Sequence, residues 1–192
     1  LRDPWKLAIP DRIPKGFRAK MKKPINNFLE PLVINRASKI IVVSEEMAKQ
    51  YRQAYPKRNA DDFVVIPNGF DAEDFDLIEP ISFPEFTIIY AGKFLTGKSF
   101  RNPIPFFQAI KILKIKGISI HFKHVGEKNL DIVKLVEDIG IESQFESVGQ
   151  LSYRNTISYM KGADILLLIG SGQETEQTGK IFDYLGCKRP IL

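Results

Sequence analysis

Cysteine is nearly absent from this 192-residue sequence. With Cys187 alone, neither an internal disulfide framework nor a thiolate zinc cluster can form, which fits a reducing compartment. Histidine is almost as scarce: His121 and His124 lie three apart in one apolar run. Side chains three apart in a strand point to opposite faces, so the two imidazoles do not share a metal and both are read as structural. Long hydrophobic runs are missing too. No apolar stretch reaches the roughly 18 residues of a membrane-spanning helix, and no charged-then-apolar leader opens the sequence. It starts at Leu1 and stops at Arg189-Pro190-Ile191-Leu192, which reads as the start of a strand, so both ends are expected to continue in a longer chain. Low complexity is absent as well. A composition of 44% apolar and 27% charged residues is that of an ordinary globular protein, and the length is enough to bury a sizeable core.

Acidic residues are absent between Arg12 and Lys23, where six basic ones fall (Arg12, Lys15, Arg18, Lys20, Lys22, Lys23). They supply much of the net charge of +5, which favours anionic partners. Ile13, Phe17 and Met21 recur at spacings of four, the pattern of a basic amphipathic helix on an anionic membrane surface. Pro14 and Gly16 interrupt that pattern and favour a solvated loop or exposed face. Both readings stay open for residues 12–23.

What is present is a regular alternation of strands and helices. Lys39-Ile40-Ile41-Val42-Val43 is a β-branched run, followed by Ser44 as a helix cap and two acids in the first turn. A second strand spans 63–67, and Asn68-Gly69 after it is a turn signal because both residues tolerate positive φ. Residues 71–84 are acidic, carry two prolines and show no period, as a connector between lobes does. From Phe86 the chain reads as strand 86–92, a helix with Phe106, Phe107, Ile110 and Leu113 on one face, strand 118–125, helix 130–139, strand 145–148, helix 152–161, strand 164–169 and helix 179–186. Such alternation predicts an α/β fold, a Rossmann-like parallel sheet with helices on both faces. Leu166-Leu167-Leu168-Ile169 is apolar at consecutive positions, as a strand buried on both faces requires.

Ligands of such sheets bind beyond the carboxyl ends of the strands. The loop after the strand at 86–92 reads Gly92-Lys93-Phe94-Leu95-Thr96-Gly97-Lys98-Ser99. Its glycines let backbone approach a phosphate and its lysines supply compact positive charge. The spacing also matches a phosphate-binding loop of ATPases. Against that reading, Asn102-Pro103 delays the helix that should start at Ser99. In the last loop and helix, Thr178 is placed to cap, and Asp183 offers a carboxylate that can accept from two vicinal hydroxyls, as a ribose presents.

Lys180-x-x-Asp183-Tyr184-Leu185-x-Cys187-x-Arg189-Pro190-Ile191-Leu192 resembles the donor-site signature of the retaining glycosyltransferases of the GT-B fold called group 1 or family 4. Gly92-Lys93-x4-Lys98 resembles their diphosphate clamp, Gly-Arg-x4-Lys. Arg2-Asp3-Pro4-Trp5, Ala37-Ser38-Lys39-Ile40-Ile41-Val42-Val43-Ser44, Ile66-Pro67-Asn68-Gly69-Phe70-Asp71, and Gly149-x-Leu151-Ser152 followed by Ala163-Asp164-Ile165-Leu166 are similar to that family in the same order. The matches span nearly the whole chain.

The resemblance implies a two-lobe GT-B architecture incomplete at both ends. Residues 1–75 would close the N-terminal, acceptor lobe and residues 76–192 would form a truncated donor lobe. It implies a hexosyltransferase with a UDP- or GDP-sugar as substrate, no cofactor and no metal. A glycan or lipid-linked acceptor, cell-surface polysaccharide biosynthesis, and a cytoplasmic location, peripheral at the inner membrane face, follow from the same resemblance; nucleic acid does not. Lys93 and Lys98 would stabilise the departing diphosphate, and Asp183 would hold the ribose. Gly92, Thr178, Gly179 and Lys180 would border the phosphates, and Gly149 and Leu151 would lie against the base. The position of the acid that grips the sugar in the family is Thr175 here, which leaves that role to Glu174 or Glu176 beside it, or to backbone alone. Two other readings remain at this point: a non-catalytic nucleotide-binding or interaction module, and the ATPase.

Overall fold

A computed structural model describes residues 17–94, 102–170 and 179–192, with side chains from residue 24 onward. The chain forms two compact units, Leu1–Asn68 and Gly69–Leu192.

In the first unit, α1 (Phe17–Arg36) leads to β1 (Ile40–Val42), α2 (Glu45–Ala54) and β2 (Phe63–Val65). Residues 17–23 of the basic stretch are helical backbone within α1, so they form no loop, and the amphipathic-helix and exposed-face readings both stay open there. β1 and β2 pair in parallel, Ile40 against Phe63 and Val42 against Val65. The crossover between them is α2, capped as the sequence predicts: the Ser44 hydroxyl accepts from the Met47 amide at 3.2 Å. Ile34, Val42, Met47, Tyr51 and Phe63 form the core. Glu30 is buried but satisfied, accepting from the Tyr55 hydroxyl at 2.7 Å. The Asn68-Gly69 turn is not made. Neither residue takes positive φ, and the backbone runs on without a turn from Ile66 to Asp71.

In the second unit, the stretch 71–84 is no bare connector. It forms α3 (Ala72–Asp76) and buries Phe75 and Ile78 in the core of this unit. The Lys161 ammonium donates to the Phe75 carbonyl at 2.9 Å and to that of Ile78. Ser158 donates to the Glu79 carbonyl at 2.6 Å. Two apolar anchors three residues apart are too few to show a period, which is why this packing is invisible in the sequence.

The sheet follows: β3 (Thr87–Ala91), α4 (Ile104–Ile115), β4 (His121–Val125), α5 (Leu130–Ile139), β5 (Phe145–Gly149), α6 (Tyr153–Gly162), β6 (Ile165–Leu166) and α7 (Lys180–Gly186). All strands are parallel in the order β5-β4-β3-β6, and Ile191 continues the sheet with a parallel bridge to Leu166. β3 is buried at every position. Its alternate residues feed two cores: Ile89 and Ala91 pack with Ile157, Met160 and Tyr184, while Ile88 and Tyr90 pack with Phe107, Ile110 and Ile132. Leu166 and Leu168 join the first core, Leu167 and Ile169 the second. Both faces of the sheet are therefore covered, as the unbroken apolar runs require. The regular strand β6 is shorter than its apolar run, although Leu167 still donates to the Ile89 carbonyl at 2.8 Å.

β4 and β5 extend from one side of β3, whereas β6 returns on the other. In an open parallel sheet that reversal opens a crevice at the carboxyl ends of the strands.

Candidate functional site

A cleft of about 430 Å³ lies at those strand ends, within the range of small-molecule sites. Its walls come from four places: Gly92 and Lys93 after β3, Gly126 and Glu127 after β4, Gln150 and Leu151 after β5, and Lys180 and Asp183 on α7.

The floor is a tight junction between β3 and β4. Gly92 turns with φ of 127°, a conformation that side chains rarely adopt. Its amide donates to the Val125 carbonyl at 2.7 Å, and its own carbonyl lies 2.7 Å from Nε2 of His124. A carbonyl oxygen accepts only, so Nε2 carries the proton. His124 is almost fully buried. Burial holds its pKa below the ordinary value and the Lys180 charge adds to that effect, against the opposing pull of the Gly92 carbonyl. Any Cβ at Gly92 would fall on the Lys180 ammonium, and one at Gly126 would fall on the Gly92 carbonyl oxygen. Both glycines line the cleft, and the close packing around them leaves no room for a side chain. Gly149, at φ of 91°, receives the Gly126 amide on its carbonyl at 2.9 Å.

Charges are arranged around this floor. The Lys93 ammonium pairs with the Glu127 carboxylate at 2.7 Å, both side chains well exposed. The hydrogen bond and charge of Lys93 hold the Glu127 carboxyl below its usual range. Lys180 donates to the Tyr90 hydroxyl at 2.9 Å and lies 4.2 Å from that ring's centroid. The Tyr90 hydroxyl donates in turn to the Lys93 carbonyl at 3.1 Å. Phe94 stacks on the Tyr90 ring at 4.4 Å and so fixes the start of the loop. On α7, Lys180 and Asp183 are three apart and share a face. The Asp183 carboxylate accepts from the Tyr153 hydroxyl at 3.0 Å. Tyr184, one residue on, is wholly buried and ties α7 to the sheet: its hydroxyl donates to the Leu167 carbonyl at 3.0 Å and accepts from the Ala91 amide at 3.1 Å.

Of the residues singled out in the sequence, Gly92, Lys93, Leu151, Lys180 and Asp183 meet in this one cleft. Gly149 lies just behind it through Gly126, and Gly179 is the N-cap position of α7, with no side-chain cap bond. Lys98, Glu174, Thr175, Glu176 and Thr178 lie outside the described residues. Tyr90, Glu127 and Tyr153 were not foreseen. The loop after Val125 is a place the alternation points to, yet nothing local marks Glu127, whose partner is 34 positions away. His121 and His124 alternate between partly exposed and buried in β4, as strand geometry demands. Among the described residues no group of three or more His, Cys, Asp or Glu is placed to hold a metal, and no helix is long and apolar enough to cross a membrane. The helix after the Gly92 loop begins at Ile104 behind Pro103. An ATPase phosphate loop needs that helix to start at Ser99, so this reading is not favoured.

Residues 5–74 match Glycosyltransferase Family 4. Among solved structures, WaaG, a glycosyltransferase involved in lipopolysaccharide biosynthesis, aligns at a TM-score of 0.63 and 16% identity over 92% of this chain and 50% of its own. The pneumococcal O-GlcNAc transferase GtfA, solved with UDP and GlcNAc, aligns at 0.64 and 13% identity over 87% of this chain and 32% of its own. Sucrose-phosphate synthase from Thermosynechococcus elongatus aligns at 0.59 and 15% identity, covering 93% and 45%. The chain thus spans half or less of the length of these structures. A search of curated protein sequences found no match. The chain carries part of the GT-B glycosyltransferase fold, and its residues 5–74 match Glycosyltransferase Family 4.

Proposed function

We propose that this chain belongs to a glycosyltransferase that moves a hexosyl group from a UDP- or GDP-sugar to a glycan or lipid-linked acceptor in cell-surface polysaccharide biosynthesis. The observation that carries this reading is the placement of Lys93, Lys180 and Asp183 around one cleft at the strand ends of a parallel sheet. Two ammonium groups suit a diphosphate and one carboxylate suits a ribose.

The side-chain-free floor at Gly92 and Gly126 lets the diphosphate reach the backbone. Lys93 meets it after exchanging partners: an exposed ion pair is worth only about 0–1 kcal/mol, so the diphosphate displaces Glu127 at little cost. During transfer the bond between the anomeric carbon and the β-phosphate oxygen breaks, and its electron pair leaves with the nucleoside diphosphate. The acceptor hydroxyl forms the new bond, and its proton passes to the departing diphosphate. Fixed charge at Lys93, with Lys98 five positions on in the same loop sequence, stabilises the growing negative charge of the leaving group. This is the work that a metal performs in other transferases, and the reading calls for none. Retention of configuration at the anomeric carbon is part of the proposal. So is a cytoplasmic site of action at the inner membrane face, supported by the lone buried thiol of Cys187 and the basic stretch 12–23.

Calorimetry with UDP and GDP tests the site. Lys93→Ala should weaken binding of the preferred nucleotide by about 1.5–3 kcal/mol, the worth of a hydrogen bond to a charged group. Unchanged affinity would remove Lys93 from the donor site.

A further inference from the structure

We propose that Tyr153 is a positioning residue for Asp183, holding its carboxylate in the one orientation that receives both ribose hydroxyls. This rests on the donor-site reading above and deepens it.

Tyr153 is the first residue of α6 and Asp183 lies in α7, 30 positions later, yet their oxygens meet at 3.0 Å on the cleft wall. The Tyr153 residue is 57% exposed, so burying its ring does not account for its place there. Its hydroxyl is a dependable donor. Burial, the hydrogen bond to Asp183 and the nearby charges of Asp183 and Asp74 push its pKa up to about 12, which keeps the proton on oxygen.

The carboxylate of an aspartate turns readily, since its terminal torsion is broad and two-fold. One bond to Oδ1 removes that freedom. A carboxylate has about four acceptor sites, so Oδ2 and the second lone pair of Oδ1 remain for two vicinal hydroxyls. Asp183 is itself anchored from behind, because Tyr184 locks α7 to β3 and to the strand after α6 through Ala91 and Leu167. The helix fixes the backbone of Asp183, and Tyr153 fixes the carboxylate. Without the phenol, a ribose would have to order the carboxylate itself and would bind less tightly, while contacts to the phosphates would be untouched.

The test is Tyr153→Phe, which keeps the ring and removes only the donor. Binding is measured for UDP, GDP, their 2′-deoxy counterparts and inorganic pyrophosphate. The ribonucleotide that the protein prefers should bind about three- to tenfold more weakly, the worth of one net hydrogen bond. Its 2′-deoxy counterpart should lose less, so the ratio between the two contracts, and pyrophosphate should bind as before. In a chain already carrying Asp183→Asn, Tyr153→Phe should add no further loss. An unchanged ratio, or an equal loss for all ligands including pyrophosphate, overturns the positioning role and marks Tyr153 as a brace between helices. Failure of the unaltered protein to bind any of the nucleoside diphosphates overturns the donor-site reading itself, and this inference with it.

Discussion

Tucked under the cleft floor, His124 is a neutral imidazole in a place that penalises charge. Its folded pKa is lowered from 6.5 by burial and by Lys180, so the unfolded chain binds a proton more readily than the folded one. The contribution of this group is therefore fully present above pH 6.5 and is lost as pH falls below that value toward the lowered folded pKa. Urea denaturation between pH 7.5 and pH 5 should show stability declining across that window. His124→Gln keeps a donor for the Gly92 carbonyl and does not titrate in this range, so it should remove that part of the decline. A decline of the same size in His124→Gln would assign it to other groups. The lysines around the cleft have a different standing. Lys93 was legible as a glycine-flanked cation at a strand end, whereas its counter-ion Glu127 was not, because the two meet only when β3 and β4 pair. Tyr153 was missed for the same reason, since its hydroxyl is given meaning by a carboxylate on another helix.

At the scale of elements, boundaries were legible wherever period and cap agreed. α5 spans Leu130–Ile139 with the Asn129 side chain accepting from the Asp131 amide, just where the apolar period placed the helix. Ser152 caps α6 in the same way, accepting from the Asn155 amide at 3.3 Å. α3 shows the opposite case: its five residues cannot stand alone as a helix, and only tertiary packing makes it one. Phe75 is 2% exposed, meets Phe70 edge-on at 5.4 Å and faces Gly186 so closely that a Cβ there would strike its ring. Phe75→Ala should therefore cost about 3–5 kcal/mol, as deletion of a buried aromatic ring does. Chemical denaturation followed by circular dichroism checks it. A loss below 1 kcal/mol would return residues 71–84 to the status of a loose connector. The Asn68-Gly69 signal failed for a related reason, in that a local preference for positive φ is weak beside the path the flanking segments impose.

For the molecule as a whole, sheet order matters more than any single motif. Because β6 returns beside β3 instead of extending the β4-β5 side, the strand ends open into a crevice, and Gly92, Lys93, Gly126 and Lys180 fall along it. The α/β reading and the donor-lobe resemblance converge on this cleft from independent directions, periodicity in one case and motif order in the other. The chain spans half the length of WaaG, so the donor site is the part of the proposal that this chain can be asked about by itself. The most direct measurement is amide-resolved NMR of the chain titrated with UDP and with GDP. Saturable shifts centred on Gly92, Lys93, Gly126, Leu151, Lys180 and Asp183 with one of the two nucleotides are the predicted result. Absence of shifts with both, or shifts confined to residues away from the strand ends, would contradict a donor site in this cleft.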